Sequence, residues 1–367
     1  MSANYKKLGD YITQRREKNT AINLPICGVC REGLIPPKQQ DADISLYNVF
    51  YKNDFIFNPA RMELNSITLN TEYDKAICSS LYEIFYINDT SKLFPEFLFV
   101  QLKTDNFVRF CEFQGQGSVR EYCRFANISE YPVIVPDLKE QEKIVNTYNA
   151  ITKRIQLKQK INENLSNQLS CLYEVLCSEE KSKKWKEVLL DEIIENKRNN
   201  IKVENIPNDS IYVGLEHIPR KIIVLNNHGT SKEVLSDKLR ASKGDILFGK
   251  IRPYFHKVSV NPYDEIYCSG DALVFNAKQK ELYGFILLTV FSEQFVNYAV
   301  KLSNGAKMPR AEWKDLKRYT VRVPNTQILN ALNEVVNKSL EYIYSNLEEI
   351  AKLQELKQLV ISRISGM

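Results

Sequence analysis

Two stretches of the chain carry apolar residues at steps of three and four with no glycine or proline to interrupt them. After Pro136 the series is Ile144, Tyr148, Ile151 and Ile155, then, past an interruption at Lys158, Ile161, Leu165, Leu169, Leu172 and Leu176. After Pro324 it is Leu332, Val336, Leu340, Ile343, Leu347, Ile350, Leu353, Leu356, Val360 and Ile364. An apolar stripe at that period predicts a long amphipathic helix. Each stripe taken singly could pack on its own neighbouring domain, but two equivalent stripes in one chain favour a coiled-coil pair. The first helix leaves one globular segment and delivers the chain to a second, whose own exit helix starts there, so the pairing is expected to be antiparallel. The charged run SEEKSKKW (178–185) reads as a solvated connection.

Outside these stripes the pattern is of short strand-like runs punctuated by Gly, Pro and Asn, with helical periodicity over 95–110 and 283–302. Amphipathic segments 5–12 and 185–194 open two similar units, and each unit closes with a strand ending in proline. The two units are repeats. Lys52, Asp54, Ile56 and Phe57 align with Lys243, Asp245, Leu247 and Phe248 at an offset of 191, and Cys78-Ser79 aligns with Cys268-Ser269 at 190. Phe107-Val108 with Phe295-Val296, Gly117 with Gly305, and YPVIVP (131–136) with YTVRVP (319–324) follow at 188. The expected fold is a mixed α/β domain in two pseudo-repeated copies, joined by two long antiparallel coiled-coil helices. The boundaries read as a first domain at 1–137, a spacer helix at 138–180, a second domain at 181–324 and a second spacer helix at 325–367.

Composition narrows the class. A chain of 367 residues suits two domains, and no apolar run approaches the roughly 20 residues of a membrane-spanning helix. The amino-terminal segment has no apolar core or cleavage site of an export signal, so a cytoplasmic location is expected. Eight cysteines lie without framework spacing and read as reduced, buried thiols; Cys27 and Cys30 have C-x-x-C spacing, but no second pair completes four zinc ligands. Residues 1–180 carry 21 Lys and Arg against 23 Asp and Glu, whereas 181–367 carry 29 against 22. That basic excess permits a polyanionic partner without requiring one.

Catalytic motifs are missing in context. FQGQG (113–117) has the look of a loop that cradles S-adenosylmethionine, yet it does not follow a first strand of a doubly wound sheet, and no [DNS]-P-P-[YF] motif is present. Pro136-Asp137 with Glu142-Lys143 imitates a nuclease cluster, but acidic residues at a helix start complement the helix dipole. Only His217, His228 and His256 occur, without metal-ligand spacing, and there is no Walker loop. No catalytic residue, metal site or cofactor is expected in this chain.

Across nearly its whole length the sequence resembles the specificity subunits of Type I restriction-modification systems. The resemblance lies in GDILFGKIRPYF (244–255), YCSGDALVF (267–275), NDFIFNPARM (53–62) and AICSSLYEIFYI (76–87). It lies most of all in YPVIVPDLKEQEKIV (131–145), the junction of a target-recognition domain with its helix; the second junction, YTVRVPNTQILNAL, lacks the Glu-Gln pair. The resemblance implies a non-catalytic subunit that binds double-stranded DNA at a bipartite site. Its partners would be two adenine-methylating subunits, with or without restriction subunits, and S-adenosylmethionine, ATP and Mg²⁺ would belong to those partners. It leaves open a full restriction complex or a related methylation or phage-defence assembly.

A DNA reader needs cations for phosphates and Arg, Lys, Asn or Gln at base edges. The second domain offers Lys243, Lys250, Arg252, Tyr254 and His256 around one strand and turn, and Asn304, Lys307, Arg310, Lys314, Lys317 and Arg318 around Gly305 and Pro309. The first offers Gln114, Gln116, Ser118 and Arg120 in the equivalent loop, with Arg124 and Arg61. More amides in one loop and more lysines in the other predict that the two halves read different sequences. The rival from another class is a protein-interaction scaffold with two heads on a helical rod.

Overall fold

The computed structural model describes residues 5–21, 23–31, 33–37, 43–115 and 122–365. They form two compact units, one of residues 1–155 with 352–367 and the other of 156–351. The division passes through both long helices.

The second unit holds a four-stranded antiparallel sheet in the order Ile194–Lys197, Ala272–Ala277, Ile246–Gly249 and Val258–Val260. A five-stranded sheet runs Asn200–Ile201, Lys238–Ser242, Glu265–Cys268, Ile211–Val213 and Gly229–Thr230, with its one parallel pair at Tyr212 and Tyr267. The first unit repeats this plan. Its four-stranded sheet runs Ile12–Arg15, Glu83–Ile87, Phe55–Phe57 and Ile67–Leu69. Its second sheet orders Asn48–Tyr51, Lys75–Cys78, Ile26–Cys30 and Gly33–Ile35, again with one parallel pair, at Ile26 and Ile77. Each unit also pairs the segment that opens it with the strand that closes it, Lys6–Lys7 with Pro132–Val133 and Lys186–Leu189 with Thr320–Val323.

The repeat extends to buried polar groups. Asp54 and Asp245, 2% and 1% exposed, each accept the amide three residues before them, Tyr51 N at 2.8 Å and Ser242 N at 2.9 Å. Each also pairs with a cation of the outermost strand, Arg15 at 2.6 Å and Lys197 at 2.7 Å. Asn70 and Asn261, both fully buried, tie down equivalent turns through the carbonyls of Tyr73 and Tyr263 at 2.7 and 2.9 Å. Around these pins pack Phe55, Phe57, Phe85 and Phe97 in one core and Phe248, Phe275, Phe285 and Phe295 in the other.

Each helical stretch expected as one helix is two. Pro95–Gln101 is followed by Asp105–Gly115, and Tyr283–Phe291 by Glu293–Leu302. The breaks fall at Thr104 and Ser292, whose hydroxyls accept Phe107 N and Phe295 N at 3.2 Å and so start a second helix.

The long helices are Leu138–Leu176, of 39 residues, and Thr326–Ser365, of 40. Their junctions with the heads are anchored by different amides. Fully buried Gln141 accepts Phe94 N at 2.9 Å and donates to the Lys92 and Pro136 carbonyls at 2.8 Å. The second helix has no glutamine there; Asn333 accepts Gly284 N at 2.9 Å and donates to the Lys280 carbonyl at 3.2 Å. Lys280 is the repeat of Lys92, at offset 188, so the missing Glu-Gln pair is replaced by an amide further along the helix.

Within the second unit the two helices run antiparallel. Lys158 donates to Asn346 Oδ1 at 2.8 Å and pairs with Glu349 at 2.7 Å, while Asn346 Nδ2 donates to Asn162 Oδ1 at 2.7 Å. In the first unit Ile144 and Tyr148 share a core with Ile361 and Ile364. The expected stripe of the second helix is buried at Leu332, Val336, Leu340, Ile343, Ile350 and Ile364, but Leu356 is 46% exposed. The first helix departs more. Ile161 and Leu172 face outward, and the buried series past Lys158 is Asn162, Ser166, Leu169 and Tyr173. The inner face shifts by one residue because Asn162 has a polar partner in Asn346 and the Tyr173 hydroxyl one in Thr289 at 3.0 Å. Of the cysteines, Cys27, Cys78, Cys111, Cys123 and Cys268 are buried, while Cys171 is exposed.

Candidate nucleic-acid interface

In the second unit the strand Ile246–Gly249 runs out into Lys250, Ile251 and Arg252, and a short 3-10 turn follows at Pro253–Phe255. Arg252 and His256, at φ 50° and 51°, bracket that turn in the left-handed region, which disfavours side chains other than glycine. Such backbone persists only where its surroundings hold it, and it concentrates at functional sites. Here Arg252 N donates to the Pro309 carbonyl at 2.7 Å, and the His256 carbonyl accepts Lys221 N at 3.0 Å. The loop after Glu293–Leu302 returns alongside: Asn304 and Arg310 exchange backbone hydrogen bonds at 3.1 and 2.9 Å, and Ala311 N donates to the Lys250 carbonyl at 3.0 Å. Gly305 turns the loop at φ 114°, and a Cβ there would lie 3.2 Å from the Met308 carbonyl oxygen.

Lys250, Arg252, Asn304, Lys307 and Arg310 are thereby brought together, with Asn304, Lys307 and Arg310 exposed and Tyr254 beside them at 52% exposure. Arg310 pairs with Asp271 at 2.9 Å. Lys250, Arg252 and Lys307 make no ion pair among the described residues. Arg252 reaches the Lys307 carbonyl at 3.4 Å through Nη2, while its Nε is buried with no hydrogen bond.

Other candidates lie apart. Lys243 precedes the strand at its opposite end, with its ammonium 5.7 Å from the Tyr344 ring on the second long helix. His256 is 4% exposed and faces inward, Nε2 at 2.8 Å from the Phe291 carbonyl and Nδ1 3.4 Å from Glu293. Burial holds its imidazole below the usual range, and a buried ring cannot meet a base edge, so His256 drops out of the set. Lys314, Lys317 and Arg318 lie on or after the short helix Trp313–Leu316, and Lys317 is 3.9 Å from Asp191.

The first unit has the same pin, Cys123 N donating to the Pro59 carbonyl at 3.0 Å. Arg61, the repeat of Arg252 at offset 191, is exposed on the 3-10 turn Pro59–Leu64. With Asn58, Glu63, Ser66 and Tyr82 it lines a cleft of about 830 Å³. Arg124 lies 3.4 Å from Glu83 and over the Tyr122 ring at 5.2 Å. Gln114 is half-buried at the end of Asp105–Gly115, and Gln116, Ser118 and Arg120 lie outside the described residues.

Sequence reasoning missed Arg220 and Lys257. The guanidinium of Arg220 stands 3.9 Å over the Phe255 ring, and Lys257 donates to the Leu215 carbonyl. The basic Pro219-Arg220-Lys221 run was a usable signal, but it lies outside the matched repeat blocks.

Residues 35–167 and 182–358 match the Type I restriction modification DNA specificity domain, one copy for each head and its adjoining helix. The chain belongs to this DNA specificity family. Among its relatives is the specificity subunit of the Type I restriction enzyme EcoDI of Escherichia coli, 22% identical over 308 residues, covering 74% of this chain and 67% of that protein. The fold matches the crystal structure of the S subunit of the Type I restriction-modification system of M. genitalium, with a TM-score of 0.57, 15% identity, and coverage of 99% of this chain and 96% of that one. The specificity-subunit reading of the sequence and the mixed α/β class with two repeated domains and long helices are thus borne out. Among the described residues no helix is long and apolar enough to cross a membrane.

Proposed function

We propose that this chain is the non-catalytic subunit that reads a bipartite site on double-stranded DNA and directs partner methyltransferase subunits to it. Each head, 1–137 and 181–324, takes one half-site, and the helical segments 138–180 and 325–367 carry the heads and offer surface to two methylating subunits. The observation that carries this reading is the pinned pair of loops in the second head, where Lys250, Arg252 and Lys307 are held side by side without a carboxylate partner among the described residues. Cations fixed on a rigid scaffold suit phosphate and base-edge contacts. The first head repeats the backbone pin through Cys123 and Pro59, and its sequence carries glutamines where the second head has lysine, so its half-site differs in sequence.

The test is an adenine-methylation map of host DNA with and without the gene. The expected result is a two-part motif, its halves separated by unspecified bases, that is methylated only when the gene is present. An unchanged map, together with no salt-dependent binding of duplex DNA by the purified chain, would leave the protein-interaction scaffold as the better reading.

A further inference from the structure

We propose that Arg220 is a DNA phosphate contact of the second head, held in place by Phe255, and that the recognition surface therefore includes the segment 214–221 as well as the two pinned loops. This rests on the DNA-reading role above.

Segment 214–221 is fastened to the recognition turn at several points. Gly249 N donates to the Lys257 carbonyl at 2.9 Å, and Lys257 reaches back to the Leu215 carbonyl. The approach is close, since a Cβ on Gly249 would stand 3.2 Å from Lys257 Cβ and 3.4 Å from Leu215. Lys221 N donates to the His256 carbonyl at 3.0 Å. Arg220, exposed at the end of this segment, lays its guanidinium over Phe255, and the Phe255 ring in turn meets Tyr254 edge-on at 4.8 Å.

The charge balance points outward. Lys221 is neutralised by Glu293 at 2.7 Å, but Arg220 makes no ion pair among the described residues, nor does Lys257 beside it. Burial and then the Arg220 charge hold the Lys257 ammonium below its ordinary value, with Glu216 acting weakly the other way. Together with Lys250, Arg252 and Lys307 this makes five cations without an ion pair around one turn. Such a group repels itself unless an anion of extended shape lies across it. A stacked guanidinium keeps its edge donors free while its rotamer is already restricted, which suits a phosphate oxygen.

The experiment measures binding of a random-sequence duplex to the full chain across a salt series, for the parent, R220A, R220K, F255L and the double variant K307A/R310A, with circular dichroism verifying the fold of each. R220A should flatten the logarithmic salt slope by about 0.9, the share of one phosphate contact. R220K should keep the parent slope, and F255L should keep it while binding more weakly. If K307A/R310A flattens the slope and R220A does not, Arg220 is a solvated cation and this inference falls while the DNA reading stands. A parent slope in R220A, with a changed ranking of affinities when a set of duplexes of defined sequence is compared, would make Arg220 a base reader and overturn the phosphate assignment. If the parent itself does not bind duplex, the DNA reading falls and takes this assignment with it.

Discussion

Lys307 and Arg310 show how two neighbouring cations differ once their partners are known. Lys307 is exposed and unpaired among the described residues, whereas Arg310 shares its charge with Asp271. Replacing both with alanine should weaken duplex binding at every sequence and flatten the salt slope by about 0.9 to 1.8, with Lys307 giving the larger part. Stability should move by less than about 0.5 kcal/mol, because exposed charges contribute little to it; unchanged binding across several ionic strengths would remove this loop from the interface. His256 has a different consequence. Its folded pKa lies below the ordinary value of 6.5, chiefly through burial. Its contribution to stability is thus complete above that value and is lost as pH falls from there through the folded pKa. Chemical denaturation at about pH 7.5 and about pH 5.5 should show the parent losing more stability on acidification than H256N, since asparagine tolerates the left-handed backbone and cannot be protonated in that range. Equal losses would show that the ring is not buried in its neutral form.

At the scale of elements, the layer of Lys158, Asn162, Asn346 and Glu349 breaks the likeness of the two long helices. At the repeat offset of 188, Lys158 corresponds to Asn346, Ile161 to Glu349 and Asn162 to Ile350. A first helix paired with its own copy would set Lys158 against Lys158 and Ile161, two like charges with no carboxylate and only the Asn162 amide as acceptor, so the layer favours the other helix as partner. N346L should cost about 1–3 kcal/mol, because Asn162 and Lys158 both lose a partner in a buried setting. The triple variant K158L/N162L/N346L should keep its stability, as apolar replacements of buried polar groups commonly do, and lose selectivity. Light scattering after size exclusion should then show self-association rising with concentration. A mass equal to that of the parent at every concentration would rule out partner selection by this layer. The same layer, with the Tyr173–Thr289 hydrogen bond, sets the inner face of the first helix: the apolar period favours Ile161 and Leu172, and that period carries no record of the partners that Asn162 has in Asn346 and Tyr173 in Thr289.

For the whole molecule, the proposed role makes the helices a ruler between half-sites. Helices of 39 and 40 residues are each roughly 58–60 Å long at 1.5 Å per residue. Inserting seven residues into each at facing levels preserves the heptad phase and adds about 10.5 Å, or roughly 3 bp of duplex. An active insertion variant, assembled with its methylating partners, should modify sites with a spacer about 3 bp longer and unchanged half-sites. Methylation at the original spacing would mean that another part of the assembly measures the distance. Because 3 bp also turns one half-site around the duplex by nearly a third of a turn, only variants that methylate are informative.

Periodicity and internal likeness determined the long helices and the two repeated heads, because these depend on which residue types recur at which intervals and not on any one contact; the family showed in the resemblance of local motifs such as YPVIVPDLKEQEKIV (131–145). The bases of the break at Thr104 and Ser292 were also on view, as a small hydroxyl residue followed by an acidic one, but the apolar period ran straight across them. Tertiary structure alone decided which cations share a surface. Lys243 and Lys250 are seven positions apart in sequence and lie at opposite ends of one strand, whereas Arg220, Arg252 and Lys307 are far apart in sequence and meet around one turn. It also turned His256 inward, since the direction of the side chain on a left-handed residue is set by what the chain packs against. A strand holds neighbours in sequence apart while hydrogen bonds between loops bring distant segments together, and no count along the chain contains that information.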